Sequence, residues 1–388
     1  MSTLKTTNLQ NASAASPAIV LAADGSATAQ VSSLNGGPLA GTRNRIINGD
    51  MRIDQRNAGA SVTPALGGFV YTVDRWNAYV SQNSKCTIQQ NAGSVTPPVG
   101  FTNYLGVTSS SAYSIGSTDL FFLNQAVEGF NTADLAWGTA NAKTVALSFW
   151  VRSSLAGTFG GALLNNAADR SYPFSYSIPT ANTWTQISVT IAGDTTGTWL
   201  TTNGLGIRVA FGFGVGSTYS ATAGSWAAGQ YWSATGATSV VATSGATFYI
   251  TGVQLEPSTV ATPFERRSFG QELALCQRYY EKSYDLATAP GAVTTNGQVI
   301  STINLTSGTT DLQNALAFFN VRKRATPTVA VYSPASGNAA RTRDDIGGSD
   351  ITSIIVSGSE SNLRVTTYPL TSRGNQTVSF QWTASAEL

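Results

Sequence analysis

Aromatic residues stand among Ser, Thr and Gly in the segment 219–232, where they could bind a sugar. They are Tyr219, Trp226, Tyr231 and Trp232. A pyranose ring stacks on an indole or a phenol, and the composition of the segment is typical of adaptable binding surfaces. Large aromatic side chains also fill cores and subunit interfaces. The segment is therefore a candidate carbohydrate-binding loop, with burial in a core as the alternative.

A second candidate surface is the most charged predicted loop of the chain. Its charged residues are Arg341, Arg343, Asp344 and Asp345. We take Arg341 and Arg343 as candidate carbohydrate contacts. The alternative is that the loop is merely solvated, as charge clusters usually are.

Paired carboxylates could hydrolyse a glycan if an acid and a base were held about 5 to 9 Å apart. Two groups of acidic residues are close in sequence: Asp344, Asp345, Asp350 and Glu360, and Asp50, Asp54 and Asp74. Closeness in sequence does not set the distance between side chains, and the repeat expected of a parallel β-helix depolymerase is missing. The chain has no histidine, which excludes Ser-His-Asp triads and nearly all catalytic zinc sites. We therefore predict no enzymatic activity and no cofactor.

Four oxygen-bearing side chains could instead converge on Ca²⁺, which prefers oxygen ligands: Asn48, Asp50, Asp74 and Glu256. The favoured alternative is ion pairing at the corner where the first strands meet. In that arrangement Asp50 pairs with Arg52, and Asp74 pairs with Arg75. We therefore predict no metal site.

The composition is that of a β-rich protein with few charges. Charged residues make up 11% of the chain, against about a quarter in ordinary soluble domains. No basic stripe alternates with aromatics, so we predict no nucleic-acid binding. No apolar run reaches the roughly 20 residues of a membrane span, so we predict no membrane insertion. Cys86 and Cys276 fall in different predicted elements, which predicts two free, buried thiols.

The elements that must position these residues are mainly strands. Apolar residues alternate with other residues in 145–151, 187–191 and 207–215. The run 212–216 is glycine-rich but is not followed by a helix, so we interpret it as strand rather than as a nucleotide-binding loop. A change of phase at Gly252 predicts a bulge. The pattern predicts an all-β chain with an antiparallel jelly-roll sandwich over 44–268.

A helix is predicted over 269–284, followed by a smaller β-sandwich. Leu273, Cys276 and Tyr280 have helical spacing, and Ser268 can cap the start. A helix of this length is marginal alone, so its apolar side must pack on its own sandwich or on other copies of the chain. Five further strands are predicted at 298–305, 327–332, 351–356, 363–368 and 377–382.

Three runs resemble a known family. Residues 44–56 read NRIINGDMRIDQR, residues 71–76 read YTVDRW, and residues 253–280 include VQLEP and TPFERRSFGQELALCQRYY. In order and spacing they resemble runs of phage tail fibres, in which the last run closes a sandwich domain and leads into a C-terminal one. The resemblance covers about residues 44 to 282 and indicates a virion structural role rather than a chemical activity.

The resemblance implies an elongated homotrimer in the phage tail, made in the host cytoplasm. Residues 1–43 would be an arm that attaches to tail or adaptor proteins, with a disordered tail as the alternative. Residues 269–285 would be the connecting helix, with Leu273, Cys276 and Tyr280 in the oligomer, and residues 286–388 a distal sandwich. The expected function is adsorption to a host-surface polysaccharide. The alternatives are a head fibre or capsid decoration protein, and a glycan-degrading tailspike.

Overall fold

The structure, a computed structural model, describes residues 8–9, 19–21, 23, 27–29, 42–305, 313–368 and 374–388. Near the N-terminus three short strands pair antiparallel: β1 Asn8–Leu9, β2 Ile19–Leu21 and β3 Ala27–Ala29. Most of the predicted attachment arm, residues 1–43, lies outside the described residues. Its docking role stays a prediction.

The first domain is a sandwich of two sheets. Its strands are β4 Val70–Tyr71, β5 Trp76–Val80, β6 Cys86–Gln90, β7 Leu105–Ser109, β8 Leu120–Glu128, β9 Val145–Ser153, β10 Gly157–Leu164, β11 Arg170–Ile178, β12 Thr185–Ile191, β13 Leu205–Val215, β14 Ser220–Ala221, β15 Ala227–Ala228, β16 Ser233–Ala234 and β17 Thr247–Glu256. One sheet has the order β15-β11-β10-β13-β8-β5-β4, and the other has β12-β9-β17-β7-β6. Pairing within both is antiparallel, and β14 and β16 form a separate parallel pair. Short 3₁₀ turns lie at Ala92–Ser94, Gly129–Asn131, Ala133–Leu135, Ser217–Tyr219 and Val240–Ala242.

The apolar residues that alternate along the strands lie on the side of each strand that faces the core. Val145, Leu147 and Phe149 of β9 are at most 1% exposed. The rings of Phe149 and Phe211, which come from opposite sheets, meet edge to face with their centroids 4.9 Å apart. The glycine-rich run lies within and directly after β13, as predicted. The antiparallel jelly-roll sandwich is confirmed.

The bulge predicted at Gly252 is also confirmed. The register of β17 against β9 shifts between Thr251 and Gln254. Gly252 has φ +61°, and a Cβ there would lie 2.6 Å from a ring carbon of Phe101. Glycine fits this position because it tolerates a positive φ and has no Cβ to overlap the Phe101 ring.

Helix α1 spans Phe269–Gln277, which is shorter than predicted. Ser268 caps it by accepting a hydrogen bond from the Gln271 amide. The chain leaves the helix because residues 280–282 form strand β18 and bond to the last strand of the chain. The second domain's sheet therefore begins before the predicted boundary at residue 286.

The second domain contains the remaining strands: β18 Tyr280–Lys282, β19 Val299–Leu305, β20 Gln313–Phe318, β21 Thr328–Tyr332, β22 Arg341–Asp344, β23 Ser349–Gly358, β24 Asn362–Tyr368 and β25 Gly374–Ser385. The long β25 pairs with β18, β19, β21 and β22 and joins the two parts of this smaller sandwich. Leu363, Val365, Phe380 and Trp382 form much of its core. The five predicted strands are confirmed. Strands β20 and β22 were not predicted, and β18 was predicted as helix.

The apolar side of α1 packs on its own chain. Cys276 and Tyr279 are fully buried and join Ile47 and Ile53 in one cluster, with Leu273 partly buried beside them. Tyr280, predicted as a helical residue, lies in β18 and is 5% exposed. The role of Leu273, Cys276 and Tyr280 in an oligomer stays a prediction, and the surfaces of Cys276 and Tyr280 are already covered within the chain.

Candidate functional site

Three aromatic rings line up on the outer side of the seven-stranded sheet. In β8, Phe121 and Leu123 point into the core, so Phe122 points outward. The ring of Phe122 stacks on Tyr79 of the neighbouring strand, with the centroids 5.6 Å apart and the planes at 10°. Phe69, just before β4, lies 5.7 Å from Tyr79. Phe69 is 41% exposed, so a strip of ring surface reaches solvent.

Trp232 reaches the same side from the loop after β13. Its indole stacks on Phe122 with the centroids 4.1 Å apart and the planes at 11°. The loop can lie this close because the sheet beneath it has no side chains at two positions. A Cβ on Gly160 would lie 2.4 Å from the Ser233 hydroxyl, and one on Gly212 would lie 3.0 Å from it. The glycines of β10 and β13 thus determine where Trp232 sits.

Arg208 projects from β13 between these rings and is half-buried. Its guanidinium carbon lies 4.6 Å from the Phe69 centroid and 5.5 Å from the Trp232 centroid. Its Nη1 donates to Oδ1 of Asn124 at 3.1 Å. Burial lowers the pKa of Arg208 to about 10, and Tyr71 opposes this shift. We call Phe69, Tyr79, Phe122, Arg208 and Trp232 the aromatic face.

Two buried side-chain nitrogens in and near the aromatic face have no hydrogen-bond partner among the described residues. Asn124 donates to Oδ1 of Asn77, and Nδ2 of Asn77 is buried with no partner among the described residues. Nε1 of Trp232 is likewise buried and unpartnered in the described chain. Most buried donors in proteins are satisfied, so each of these two exceptions requires an explanation. Ring surface with a few polar groups is typical of small-molecule sites.

The aromatic residues of the predicted loop, 219–232, do not lie together in the structure. Trp232 is in the aromatic face, and Tyr219 packs at the edge of the same cluster. Trp226 instead meets Trp137 and Trp199, each at 5.3 Å, and its indole nitrogen donates to the Ala192 carbonyl. Tyr231 is half-buried and lies in contact distance of Gly229. The loop therefore does not present one continuous aromatic surface, and its role in glycan binding stays a prediction.

Four residues of the aromatic face were not predicted from the sequence: Phe69, Tyr79, Phe122 and Arg208. The signal for Arg208 was present, because a charged residue between Ile207 and Val209 must point away from the core. Its neighbours on the outer side of the sheet depend on the order of the strands. That order could not be predicted from the sequence.

Arg341 and Arg343 lie on strand β22 rather than in a loop, because β22 pairs with both β23 and β25. Nη1 of Arg341 donates to the Thr352 hydroxyl at 2.7 Å. Nη1 of Arg343 lies 3.8 Å from a carboxylate oxygen of Asp350. Both arginines share the outer side of the strand, and each has an intrachain partner. Their contact with carbohydrate stays a prediction.

The acidic residues considered for catalysis are held by separate partners. Asp344 accepts from the Gly347 amide at 2.7 Å, and Asp345 accepts from the Ser379 hydroxyl at 2.9 Å. Asp350 accepts from the Ser333 hydroxyl at 2.6 Å. Glu360 pairs with Arg322 at the surface. Asp54 accepts from the Asn57 and Gly59 amides near the start of the sandwich.

The side chains considered for calcium are also spread among separate partners. Asp50 pairs with Arg52 at 3.2 Å, as predicted. Glu256 accepts from the Thr262 amide and hydroxyl in the turn after β17. In the part of the chain that the structure describes, no three Asp, Glu or Cys side chains are grouped closely enough to hold a metal ion.

The predicted pair between Asp74 and Arg75 is wrong. Asp74 accepts instead from the amide and the side chain of Gln55. Arg75 is turned toward the second domain and pairs with Glu387. Asp74 is fully buried, and this burial raises its pKa to about 6, with Arg56 partly opposing the rise.

The runs that resemble tail fibres meet at the junction between the two domains. Arg75 forms a buried ion pair with Glu387, and its guanidinium carbon lies 3.5 Å from the Tyr279 centroid. Arg56 donates to the other oxygen of Glu387 at 2.9 Å and lies over the ring of Tyr280. All but Glu387 belong to those runs.

The same runs hold helix α1 on the sandwich. Glu272 accepts from the Asn48 amide at 2.5 Å and pairs with Arg267 at 3.3 Å. Beyond the helix, Arg278 pairs with Glu128 at 2.6 Å. The residues of the resemblance therefore act in domain arrangement, and they do not contribute to the aromatic face.

A cleft of about 240 Å³ beside the junction is a weaker candidate site. It is lined by Arg52, Asp54, Ala58, Gly59, Gln90, Leu286 and Ala287. Asp54 is bonded to nearby backbone amides, and Gln90 donates to the Met51 carbonyl. The cleft offers no aromatic ring for stacking, and these polar groups have intrachain partners. The aromatic face is the better candidate.

No helix in the described ranges is long and apolar enough to cross a membrane. No protein-family model matches the chain, and no curated protein matches it in sequence.

Solved structures give partial matches. The tailspike protein 4 enzymatically active domain of bacteriophage CBA120 matches at 11% identity and a TM-score of 0.31, over 56% of this chain and 21% of its own. The module TmCBM61, solved with β-1,4-galactotriose, matches at 9% identity and a TM-score of 0.29. The match covers 56% of this chain and 100% of that module. A putative sugar binding protein from Bacteroides thetaiotaomicron matches at 13% identity and a TM-score of 0.31. The match covers 56% of this chain and 100% of that protein.

Proposed function

We propose that this chain is a phage tail fibre protein whose first domain binds a host-surface glycan without degrading it. The observation that carries the proposal is the aromatic face. Phe69 and Tyr79 present ring surface, Arg208 presents a cation, and Trp232 closes one side. The resemblance of residues 44–56, 71–76 and 253–280 to tail fibres supports the virion role.

The chemistry of the aromatic face suits a sugar ring. A pyranose has apolar C–H faces and an edge of hydroxyl groups. The C–H face can stack on Phe69 and Tyr79, and the oxygen atoms of the edge can accept hydrogen bonds from Arg208. Phe122 and Trp232 are 1% and 4% exposed, so they form the floor that fixes these groups.

The test is retention of the full chain on immobilised bacterial capsular and O-antigen polysaccharides. Phe69→Ala should abolish retention by whichever polymer holds the wild type. Phe130→Ala is the matched control, because Phe130 is also exposed, at 61%, and does not belong to the aromatic face. Equal retention of wild type and Phe69→Ala would refute binding at this face.

The same polymers test the non-enzymatic part of the proposal. Incubation with the protein should leave the molar mass of the bound polysaccharide unchanged. Release of oligosaccharides would instead indicate a glycan-degrading tailspike.

The homotrimer and the docking role of residues 1–43 belong to the proposal through the resemblance. Light scattering of the chain with and without residues 1–43 measures the assembly. A trimer that survives truncation supports a self-contained fibre, and a monomer in both cases contradicts it. Binding to purified phage heads rather than tails would favour the head fibre or decoration protein.

A further inference from the structure

We propose that the saccharide bound at the aromatic face carries a carboxylate, which Arg208 recognises. This inference rests on the proposed glycan-binding function and names the class of sugar. The ligand would be an acidic glycan containing a uronic or a sialic acid residue. Its carboxylate would lie against the guanidinium, and its ring against Phe69 and Tyr79.

Arg208 lacks a counter-charge among the residues that the structure describes. Four arginines shielded from solvent have carboxylate partners: Arg75 with Glu387, Arg170 with Asp194, Arg267 with Glu272 and Arg278 with Glu128. Arg152 and Arg324, which are half-buried like Arg208, donate instead to backbone carbonyls. Among the described residues no carboxylate pairs with Arg208, whose hydrogen-bond acceptor is the neutral amide of Asn124. A partly desolvated cation gains from an incoming anion, since its desolvation has already occurred on folding.

The geometry of the Arg208 guanidinium also suits a carboxylate. Nη1 is engaged by Asn124, while the rings of Phe69 and Trp232 flank the group at 4.6 and 5.5 Å and restrict its rotation. A planar guanidinium presents paired N–H groups that match the two oxygens of a carboxylate. Burial lowers the pKa of Arg208 only to about 10, so the group is charged at neutral pH.

The test is calorimetric titration of the full chain with oligogalacturonate, alginate oligomers and oligosialic acid. Each acidic saccharide is compared with its carboxyl-reduced form, which keeps the sugar ring and loses the charge. Dextran sulfate controls for charge without carboxylate. We expect at least one acidic saccharide to bind at least ten-fold more tightly than its reduced form and than dextran sulfate.

Three variants connect the binding to Arg208. Arg208→Gln should lose at least ten-fold in affinity, and Arg208→Lys should lose less, because it keeps the charge without the planar fork. Arg152→Gln is the matched control: Arg152 lies in β9 of the other sheet, is half-buried, is 5.5 Å from the Tyr249 centroid and donates to the Asn182 carbonyl. Thermal unfolding of each variant checks that the fold is retained.

The outcomes separate the two proposals. If reduced and acidic forms bind equally, or if Arg208→Gln binds like wild type, the carboxylate inference is wrong while glycan binding stands. Equal binding of dextran sulfate would likewise overturn it in favour of unspecific charge attraction. If no saccharide binds in either form, the carboxylate inference is wrong, and retention on capsular and O-antigen polysaccharides decides the proposed function separately.

Discussion

Arg75 and Glu387 lie 312 residues apart in the chain and form an ion pair in which their side chains are 1% and 7% exposed. The arginine comes from the tight turn before β5 and the glutamate follows β25. Arg56 shares the same carboxylate. Two separated stretches of sequence thus fix the first domain against the second through one buried carboxylate.

Glu387→Gln should destabilise the protein strongly, because it leaves two shielded guanidinium groups without their counter-charge. Breaking a buried ion pair by removing one partner costs about 3–5 kcal/mol in the free energy of unfolding. Urea denaturation measures the loss. Glu360→Gln is the control, since it removes the same group from the exposed pair with Arg322 and should cost less than about 1 kcal/mol. Equal losses for the two variants would contradict a structural role for the Arg75–Glu387 pair.

Gly252→Ala should destabilise the sandwich for two reasons. The residue has φ +61°, and the new Cβ would overlap the ring of Phe101. Gly245→Ala isolates the first cause, because Gly245 has φ +76° with open space around its Cα. We expect about 1–2 kcal/mol for Gly245→Ala and about 1–3 kcal/mol more for Gly252→Ala. A smaller loss at Gly252 than at Gly245 in urea denaturation would refute the close packing of the bulge.

Asp74 should make stability fall as pH rises. Its folded pKa of about 6 exceeds the ordinary value of 3.8, so the native state binds more protons than the unfolded state between these pH values. The stabilising contribution is therefore fully present below pH 3.8 and is lost as pH rises through about 6. At about 1.4 kcal/mol per pKa unit, the change is about 3 kcal/mol.

Denaturation of wild type and Asp74→Asn at pH values from 4 to 7 tests this dependence. Because the amide of the variant cannot titrate, the difference between the two free energies of unfolding should fall by about 2 kcal/mol over that range, since at pH 4 part of the unfolded state is already ionised. Other shifted carboxyl groups, such as Asp54 and Asp194, contribute to both proteins and largely cancel. A difference independent of pH would show that Asp74 is ionised throughout.

Cys86 and Cys276 should resist alkylation in the native protein. Both thiols are free and buried, as predicted, and burial raises the pKa of Cys86 to about 12. The thiolate is the reactive form, so iodoacetamide should modify neither residue until the protein unfolds. Mass spectrometry should find two added groups per chain in denaturing guanidinium chloride and none in buffer. Rapid native labelling of either cysteine would contradict its burial.

Local pattern was sufficient for much of the fold. Alternating apolar residues located β9 and β13, and a change of phase located the bulge at Gly252. The end of α1 was misplaced because residues 280–282 bond to β25, about 100 residues later, and no local signal competes with such pairing. Arg341 and Arg343 were predicted to lie in a loop because their charges indicated exposure to solvent. One side of an exposed strand accommodates charged residues equally well.

The candidate site was less predictable than the fold. Composition located the segment 219–232, and the structure puts Trp232 in the aromatic face but Trp226 elsewhere. Phe69, Tyr79 and Arg208 were missed because they come from strands that become neighbours only in the folded sheet. Ring stacking across strands depends on their order and register, which no single stretch of sequence encodes.

Glycan binding at the aromatic face is measured by retention of wild type and Phe69→Ala on immobilised capsular and O-antigen polysaccharides, with Phe130→Ala as the control. We expect at least one polymer to retain the wild type and Phe130→Ala but to release Phe69→Ala. Retention of all three proteins alike, or of none, would contradict a glycan-binding role for the aromatic face.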